Sequence, residues 1–395
     1  MSSRYFFLAT IGLALVVLFR LITLENPVDS NNFALQGQIT SSPYLSYDNL
    51  VFFIGRYKIT SAYQNLEYGD KVKIVGKKVG YEIQARSVEE LPQGYLENLT
   101  LNLRKNLEKR INDHFPQPQS DLLSGILLGI KTNLSREFKA NLVNTGTIHV
   151  VVVSGYNIVL IGSFVLFLAP YLGRKKTTAL ALAVIFFYSV LVGFSAPTLR
   201  ALIMGALSLS AVLLGRRSLA FYALCFSALT MLLINPEFVW DISFQLTFAA
   251  TLGVLLFTKR LEAKLTKLPK WFSETLATTL AAQVFVVPLI FYYFGSVSLM
   301  SPLVNTLVLW IVPISTMLGF IFLGLTFVSV ILANLISYLL VLPLTFFTTM
   351  VSFFGRLNFL VLSFEKGNLV STIGYYLVVL AFLPRYLKTK LNKSR

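Results

Sequence analysis

TGTIHVVVVSGYNIVLIG, residues 145–162, is the stretch whose placement decides the fold. It is apolar enough to begin a membrane span, yet it carries His149, Ser154, Gly155, Tyr156 and Asn157, which a helix facing only lipid avoids. A polar notch of small residues, lining protein or water, accounts for both features. Close helix packing on Ser154 and Gly155 is the alternative. On a helix turning about 100° per residue, Ser154 and Asn157 lie about 60° apart, and Ser154 and His149 about 140° apart. A helix continuing through Ser154 therefore does not pair it with His149 as nucleophile and base, which speaks against an intramembrane serine hydrolase.

Composition agrees with a membrane setting. The chain has 395 residues, 55% of them hydrophobic, and a mean hydropathy of +0.69. Too many of its apolar runs reach the roughly 20 residues that cross a bilayer for a soluble fold. The formal charge of +16 fits a nucleic-acid or other anionic partner, and also basic residues collected at cytoplasmic helix ends. Cys225 is the only cysteine, so there is no intramolecular disulfide.

From the start, residues 5–24 read as an uncleaved transmembrane anchor (residues 1–28 as a segment), with Arg20 snorkelling near its far end. After Asn26 and Pro27 the pattern changes to alternating polar and apolar residues. Strands are predicted at 33–40, 49–54, 57–61, 71–75 and 81–88, with turns at Ser42-Pro43, Gly55, Gly69-Asp70 and 76–80. Five short strands within residues 29–95 suit a small all-β OB-like barrel, and YGDKVKIVGK, residues 68–77, resembles the fourth-strand region of OB folds. Such barrels bind single strands through aromatics beside a basic groove. The residues for that role are Arg56, Tyr57, Lys58, Lys71, Lys73, Lys77, Lys78, Tyr81 and Arg86, with Tyr63 and Tyr68 among them; a solvated basic face on a structural barrel is the alternative.

Residues 96–144 carry an amphipathic helix, with Leu99, Leu103, Leu107 and Ile111 four apart, and then a re-entrant apolar piece at 121–134. Gly125, Gly129, Lys131 and Thr132 do not make a phosphate loop, since three residues separate the glycines and Ile130 precedes the lysine. From residue 145 to 395, apolar runs raise the span count, anchor included, to about ten. Pro302, Pro313 and Pro343 are expected to break the 300–354 region. Basic loops at 173–176, 215–217 and 258–270 alternate with poorly basic ones, which places the first set and the C-terminal tail in the cytoplasm and the barrel outside. The fold class is thus a polytopic all-α membrane bundle with an inserted OB-like barrel.

GILLGIKTNLSREFKANLVNTGTIHVVVVSGYNI, residues 125–158, resembles the signature block of the ComEC family of bacterial competence proteins, on Leu134, Ser135, Thr145, Gly146, His149, Ser154 and Gly155. The family's Leu-His after Ser-Gly is Tyr156 and Asn157 here. SAPTLRALIM (195–204) and DISFQLTFAATLG (241–253) resemble two further blocks of that family. The resemblance implies a plasma-membrane channel that admits single-stranded DNA in natural transformation, with His149, Ser154, Gly155, Tyr156, Asn157, Arg200, Asp241 and Gln245 on the path. Ion pairing or helix capping is the structural alternative for Arg200 and Asp241. Many family members carry a C-terminal metallo-β-lactamase-like nuclease domain. With His114 and His149 the only histidines, no such two-metal site and no cofactor is expected in this chain. Partners implied are single-stranded DNA, membrane lipid, a separate DNA receptor, a nuclease and a cytoplasmic ATPase, with a homo-oligomer as one arrangement. The rival readings are a carrier for a small anion or lipid-linked solute and an intramembrane serine hydrolase acting through Ser154.

Overall fold

The computed structural model describes residues 30–39, 44–46, 49–55, 57–62, 66, 70–92, 94–130, 134–151, 155–213, 220–357, 361–363 and 372–379. The predicted anchor, the 215–217 loop, the basic tail, Arg56, Tyr63, Tyr68, Lys131, Thr132 and Ser154 lie outside the described residues, as does the side chain of Tyr156. The chain divides into two compact units. One comprises Met1–Leu134, Val151–Phe244 and Thr316–Val341, the other Ser135–Val150, Gln245–Ser315 and Leu342–Arg395.

The first unit opens with a six-stranded mixed sheet: β1 (Ser30–Gln38), β2 (Tyr44–Ser46), β3 (Asn49–Ile54), β4 (Tyr57–Ser61), β5 (Lys71–Val79) and β6 (Glu82–Glu90), in the order β1-β5-β6-β4-β3-β2. β4 and β6 run parallel; the other neighbours are antiparallel. The period-2 pattern works as expected. Val72 and Ile74 of β5 point inward onto Phe52, Ile59 and Ile83, while Lys73 and Lys77 point out. Gly37 allows β1 to meet β3 through that core, since a Cβ there would stand 2.5 Å from Ile54 Cγ2.

The predicted turn at 76–80 needs correction: β5 continues to Val79. β6 carries one extra residue where Val75 faces Ser87 but Gly76 faces Ala85, and a Cβ on Gly76 would overlap the Gln84 carbonyl. Glycine there answers to a bulge and a close backbone approach. The turn itself is made at Gly80, with φ of +60°.

Beyond the sheet the chain is helical: α1 (Tyr95–His114), α2 (Gln119–Leu128), α3 (Arg136–Asn144), a 3-10 turn (Ile148–Val150), α4 (Gly155–Leu166), α5 (Ala169–Leu172), α6 (Arg174–Val192), α7 (Ala196–Leu213), α8 (Ala220–Ile234), a second 3-10 turn (Pro236–Trp240), α9 (Ile242–Glu262), α10 (Lys270–Phe294), β7 (Ser296–Ser298), α11 (Ser301–Val308), α12 (Ile311–Leu325), α13 (Val330–Gly355), β8 (Val361–Ser363) and a last helix α14 at 372–379. The leucine stripe of α1 packs over only half its length: Leu107 and Ile111 are buried, Leu99 and Leu103 exposed. Arg110 holds the packed half by donating to the Thr326 carbonyl at 2.8 Å.

Among the described residues four helices, α6, α9, α10 and α13, are long and apolar enough to cross a membrane, and a fifth span arises if α11 and α12, bent by 41° at their break, count as one. Three further apolar helices, within α4, α7 and α8, are shorter. The ten predicted spans include the anchor, which lies outside the described residues, and the described residues show four or five. The 145–162 stretch, expected to begin a span, contains a 3-10 turn at Ile148–Val150, and α4 is 12 residues long. Of the three prolines expected to break helices, Pro302 lies in the first turn of α11 and Pro313 in the first turn of α12, but Pro343 sits inside α13. Pro288, inside α10, lacks the N–H that would pair with Val284; the Tyr375 hydroxyl donates to that carbonyl at 3.0 Å and Tyr376 to the next, on Phe285, at 2.6 Å.

Candidate nucleic-acid interface

The signature stretch begins in the second unit. Ser135 caps α3 by accepting from Phe138 N–H at 3.2 Å, and the Thr145 hydroxyl donates to the Asn141 carbonyl at 2.7 Å. Gly146, with its positive φ, lies against Ser301, whose Oγ would be 2.5 Å from a Cβ there. That same Oγ accepts from Gln283 Nε2 at 3.0 Å and Asn305 Nδ2 at 3.1 Å. His149 is exposed, its Nδ1 3.0 Å from the Gly146 carbonyl. Gln245 also belongs to this unit and accepts from the Tyr293 hydroxyl at 2.8 Å.

In the first unit, Gly155 of α4 meets Arg200 of α7. A Cβ on Gly155 would stand 2.8 Å from Arg200 Nη2 and 3.1 Å from the Ala201 methyl, so glycine lets the guanidinium lie against this backbone where a side chain would shift it. Nη1 is 3.7 Å from Met204 Sδ. The turn that starts α7 is tied by Ser195 Oγ and Thr198 Oγ1, 2.8 Å apart. Arg200 follows them as a half-buried cation on an apolar helix.

Asn157 does something sequence reasoning did not foresee. It is 1% exposed, and its amide donates to the Ile126 carbonyl at 2.9 Å. The Tyr188 hydroxyl donates to the neighbouring Leu127 carbonyl at 3.0 Å. Together they satisfy two of the carbonyls that the end of α2 leaves without helical partners. Gly125 completes the seat, because its bare Cα faces the Val151 backbone. Asn157→Leu removes a donor from a buried carbonyl, which costs about 1–3 kcal/mol. We expect a lower thermal midpoint for the detergent-solubilised variant, read by loss of a fluorescent fusion from the soluble fraction.

Asp241 is exposed, and its carboxylate accepts from Phe244 N–H at 2.7 Å, which is the capping arrangement at the start of α9. Of the predicted path residues, then, the structure brings Gly155 and Arg200 together. Asn157 is bonded to α2, Asp241 caps α9, and His149 and Gln245 fall in the other unit. The unforeseen polar cluster of Gln283, Ser301 and Asn305 had one visible signal, polar residues inside apolar runs.

The sheet sorts its basic residues by face. Lys78 points inward, 5% exposed, with its ammonium 4.1 Å from the Phe33 ring centre and 5.0 Å from that of Tyr57. Tyr57 in turn packs against Tyr81, centroids 6.2 Å apart. Lys58 forms an ion pair with Glu82 at 2.9 Å. Lys73 and Lys77 are exposed, Lys71 is half-buried, and Arg86 Nη1 donates to Asn32 Oδ1 at 3.3 Å. Among the described residues no three His, Cys, Asp or Glu side chains are grouped to hold a metal ion.

ComE operon protein 3 of Bacillus subtilis (strain 168) is 26% identical over 209 residues, which are 52% of this chain and 26% of that protein. An uncharacterized protein of Aquifex aeolicus (strain VF5) is 35% identical over 174 residues, 44% of this chain and 39% of that protein. The chain thus spans well under half the length of either relative. No solved structure matches. A family model described as "Competence protein" matches residues 126–388, more than half the chain and including α4, α7, Gly155 and Arg200. The chain belongs to the competence protein family.

Proposed function

We propose that this chain is a plasma-membrane channel that passes single-stranded DNA into the cytoplasm during natural transformation. The observation that carries the reading is Arg200 laid against Gly155, a forked cation beside bare backbone among apolar helices. A DNA strand presents a phosphate about every 3.4 Å, and a guanidinium pairs with phosphate through two parallel N–H bonds. Glycine at position 155 lets that fork rest against the α4 backbone. The B. subtilis relative, by its name, is a product of a competence operon, which supports the same reading. A small-anion carrier would use the same guanidinium, but would leave the sheet without a role.

Several finer features follow from the proposal. The strand order β1-β5-β6-β4-β3-β2 with its single parallel pair and the contact of Ile54 with Gly37 both support an OB-like barrel over residues 29–95 that receives DNA outside the cell. Residues 96–144 then lead into a channel domain at 145–395. The basic residues Lys175 and Lys264 mark cytoplasmic loops, as does the basic tail. Some of the predicted spans are short helices that cross only part of the bilayer. A nuclease and a cytoplasmic ATPase are partners this reading calls for. In a naturally transformable strain lacking this chain, fluorescent DNA should still bind the cell surface but not enter the cytoplasm, and resupplying the chain should restore entry. Unchanged entry without the chain would remove the function.

A further inference from the structure

β5 carries lysines on both faces, and the two sets have different surroundings. The inner one, Lys78, is enclosed by Phe33 and Tyr57 and presents no charge to a ligand. Lys71, Lys73 and Lys77 share the outer face. At about 3.3 Å per residue along a strand, Lys71 and Lys73 are about 6.6 Å apart and Lys73 and Lys77 about 13 Å apart.

Arg86 fills that longer gap. It is the extra residue of β6 at the Val75–Gly76 step, it is exposed, and its guanidinium reaches Asn32 on β1, the strand on the other side of β5. It therefore crosses β5 between Lys73 and Lys77, and it does so on the outer face, because the inner one is filled by the core. One of its five N–H donors is used by Asn32, which leaves others for a ligand. Gln36 and Gln84, opposite Lys73 and Lys77 in the ladders, flank the row with neutral polar groups, and Glu89, opposite Lys73 on the β6 side, is the acid beside it. Among the described residues neither Lys73 nor Lys77 is in an ion pair.

We infer that the outer face of β5 is a track for a single-stranded DNA backbone, held at its phosphates by Lys71, Lys73, Arg86 and Lys77 and not by stacking of its bases. The spacing is that of two nucleotides of a stacked strand, about 6.8 Å, repeated along the row. Among the described residues nothing aromatic stands with these side chains on the outer face of β5, so the track takes any base sequence. The inference rests on the proposed function, since it names how the sheet receives that DNA.

The test uses the full chain in lipid nanodiscs and fluorescent oligo(dT) and oligo(dA) single strands of about 20 nucleotides, with anisotropy read across a salt series. Each phosphate contact contributes about 0.7 to the single-strand salt slope. The Lys73→Gln/Lys77→Gln variant should lower the slope by about 1.4 and, at about 0.1 M salt, weaken binding about 25-fold. Adding Arg86→Gln should bring the losses to about 2 in slope and about a hundredfold in affinity. The two oligonucleotides should bind the wild type within about twofold of each other. If the wild type binds and the variants keep its slope, the track is wrong while the channel reading stands. A tenfold preference for one base would overturn recognition through phosphates alone. If the wild type binds neither strand, both the track and the proposed reception of DNA by the sheet fail.

Discussion

Arg200→Ala should stop DNA from reaching the cytoplasm while leaving the chain in the membrane at its wild-type level. The guanidinium sits half-buried on an apolar helix against Gly155, where a passing phosphate would have little water to replace a lost cation. A charge-assisted bond in such a place is worth about 3 kcal/mol, which corresponds to about a hundredfold or more in rate at the step where the phosphate passes. Arg200→Lys keeps the charge but loses the fork, and should retain part of the uptake. Entry of labelled DNA, normalised to the amount of chain in the membrane, measures both. A purely structural arginine would give the opposite pattern, with less chain in the membrane and full uptake per molecule that remains.

Gly125→Leu carries the largest expected effect on stability. Its Cβ would lie 2.7 Å from the Val151 carbonyl oxygen and overlap the Val151 side chain. α2 has little freedom to retreat, since Leu122, Leu123, Ile126, Leu127 and Leu128 are all buried and Asn157 and Tyr188 hold its last carbonyls. Overpacking against fixed backbone costs about 3 kcal/mol or more. The variant should show a strongly lowered thermal midpoint and a reduced membrane level, and Gly125→Ala a smaller loss of the same kind. A Gly125→Leu chain with wild-type level and midpoint would contradict the close approach of α2 to Val151.

Local chemistry made much of this fold readable beforehand. The Leu107–Ile111 spacing and Pro116 located α1 to within a residue or so at either end, and alternation located five of the six strands of the main sheet because a half-buried strand must alternate. What sequence did not reveal depends on contacts between distant residues. Gly76 reads as a turn residue until the bulge on β6 shows why a side chain is excluded. The 3-10 turn at Ile148–Val150 interrupts a run whose hydropathy alone predicts a continuous span. The candidate site divides the same way. The Gly155 and Arg200 motifs were visible as polar or small residues in apolar runs, but that one lies on the other depends on the packing of α4 against α7. Asn157 was legible as a polar residue in the wrong solvent, and its partner, a carbonyl 31 residues earlier, was not. Asp241 was ambiguous between path and cap because an acidic residue before a helix suits either.

DNA that passes the Gly155–Arg200 contact comes within reach of a crosslinker placed beside the guanidinium. Met204 lies one turn beyond Arg200, with its sulfur 3.7 Å from the guanidinium. A benzophenone amino acid in place of Met204, illuminated while radiolabelled DNA is being taken up, should attach a single strand to the chain, and the adduct should disappear when uptake is blocked. Normal uptake through that substituted chain with no DNA attached at position 204 would contradict the claim.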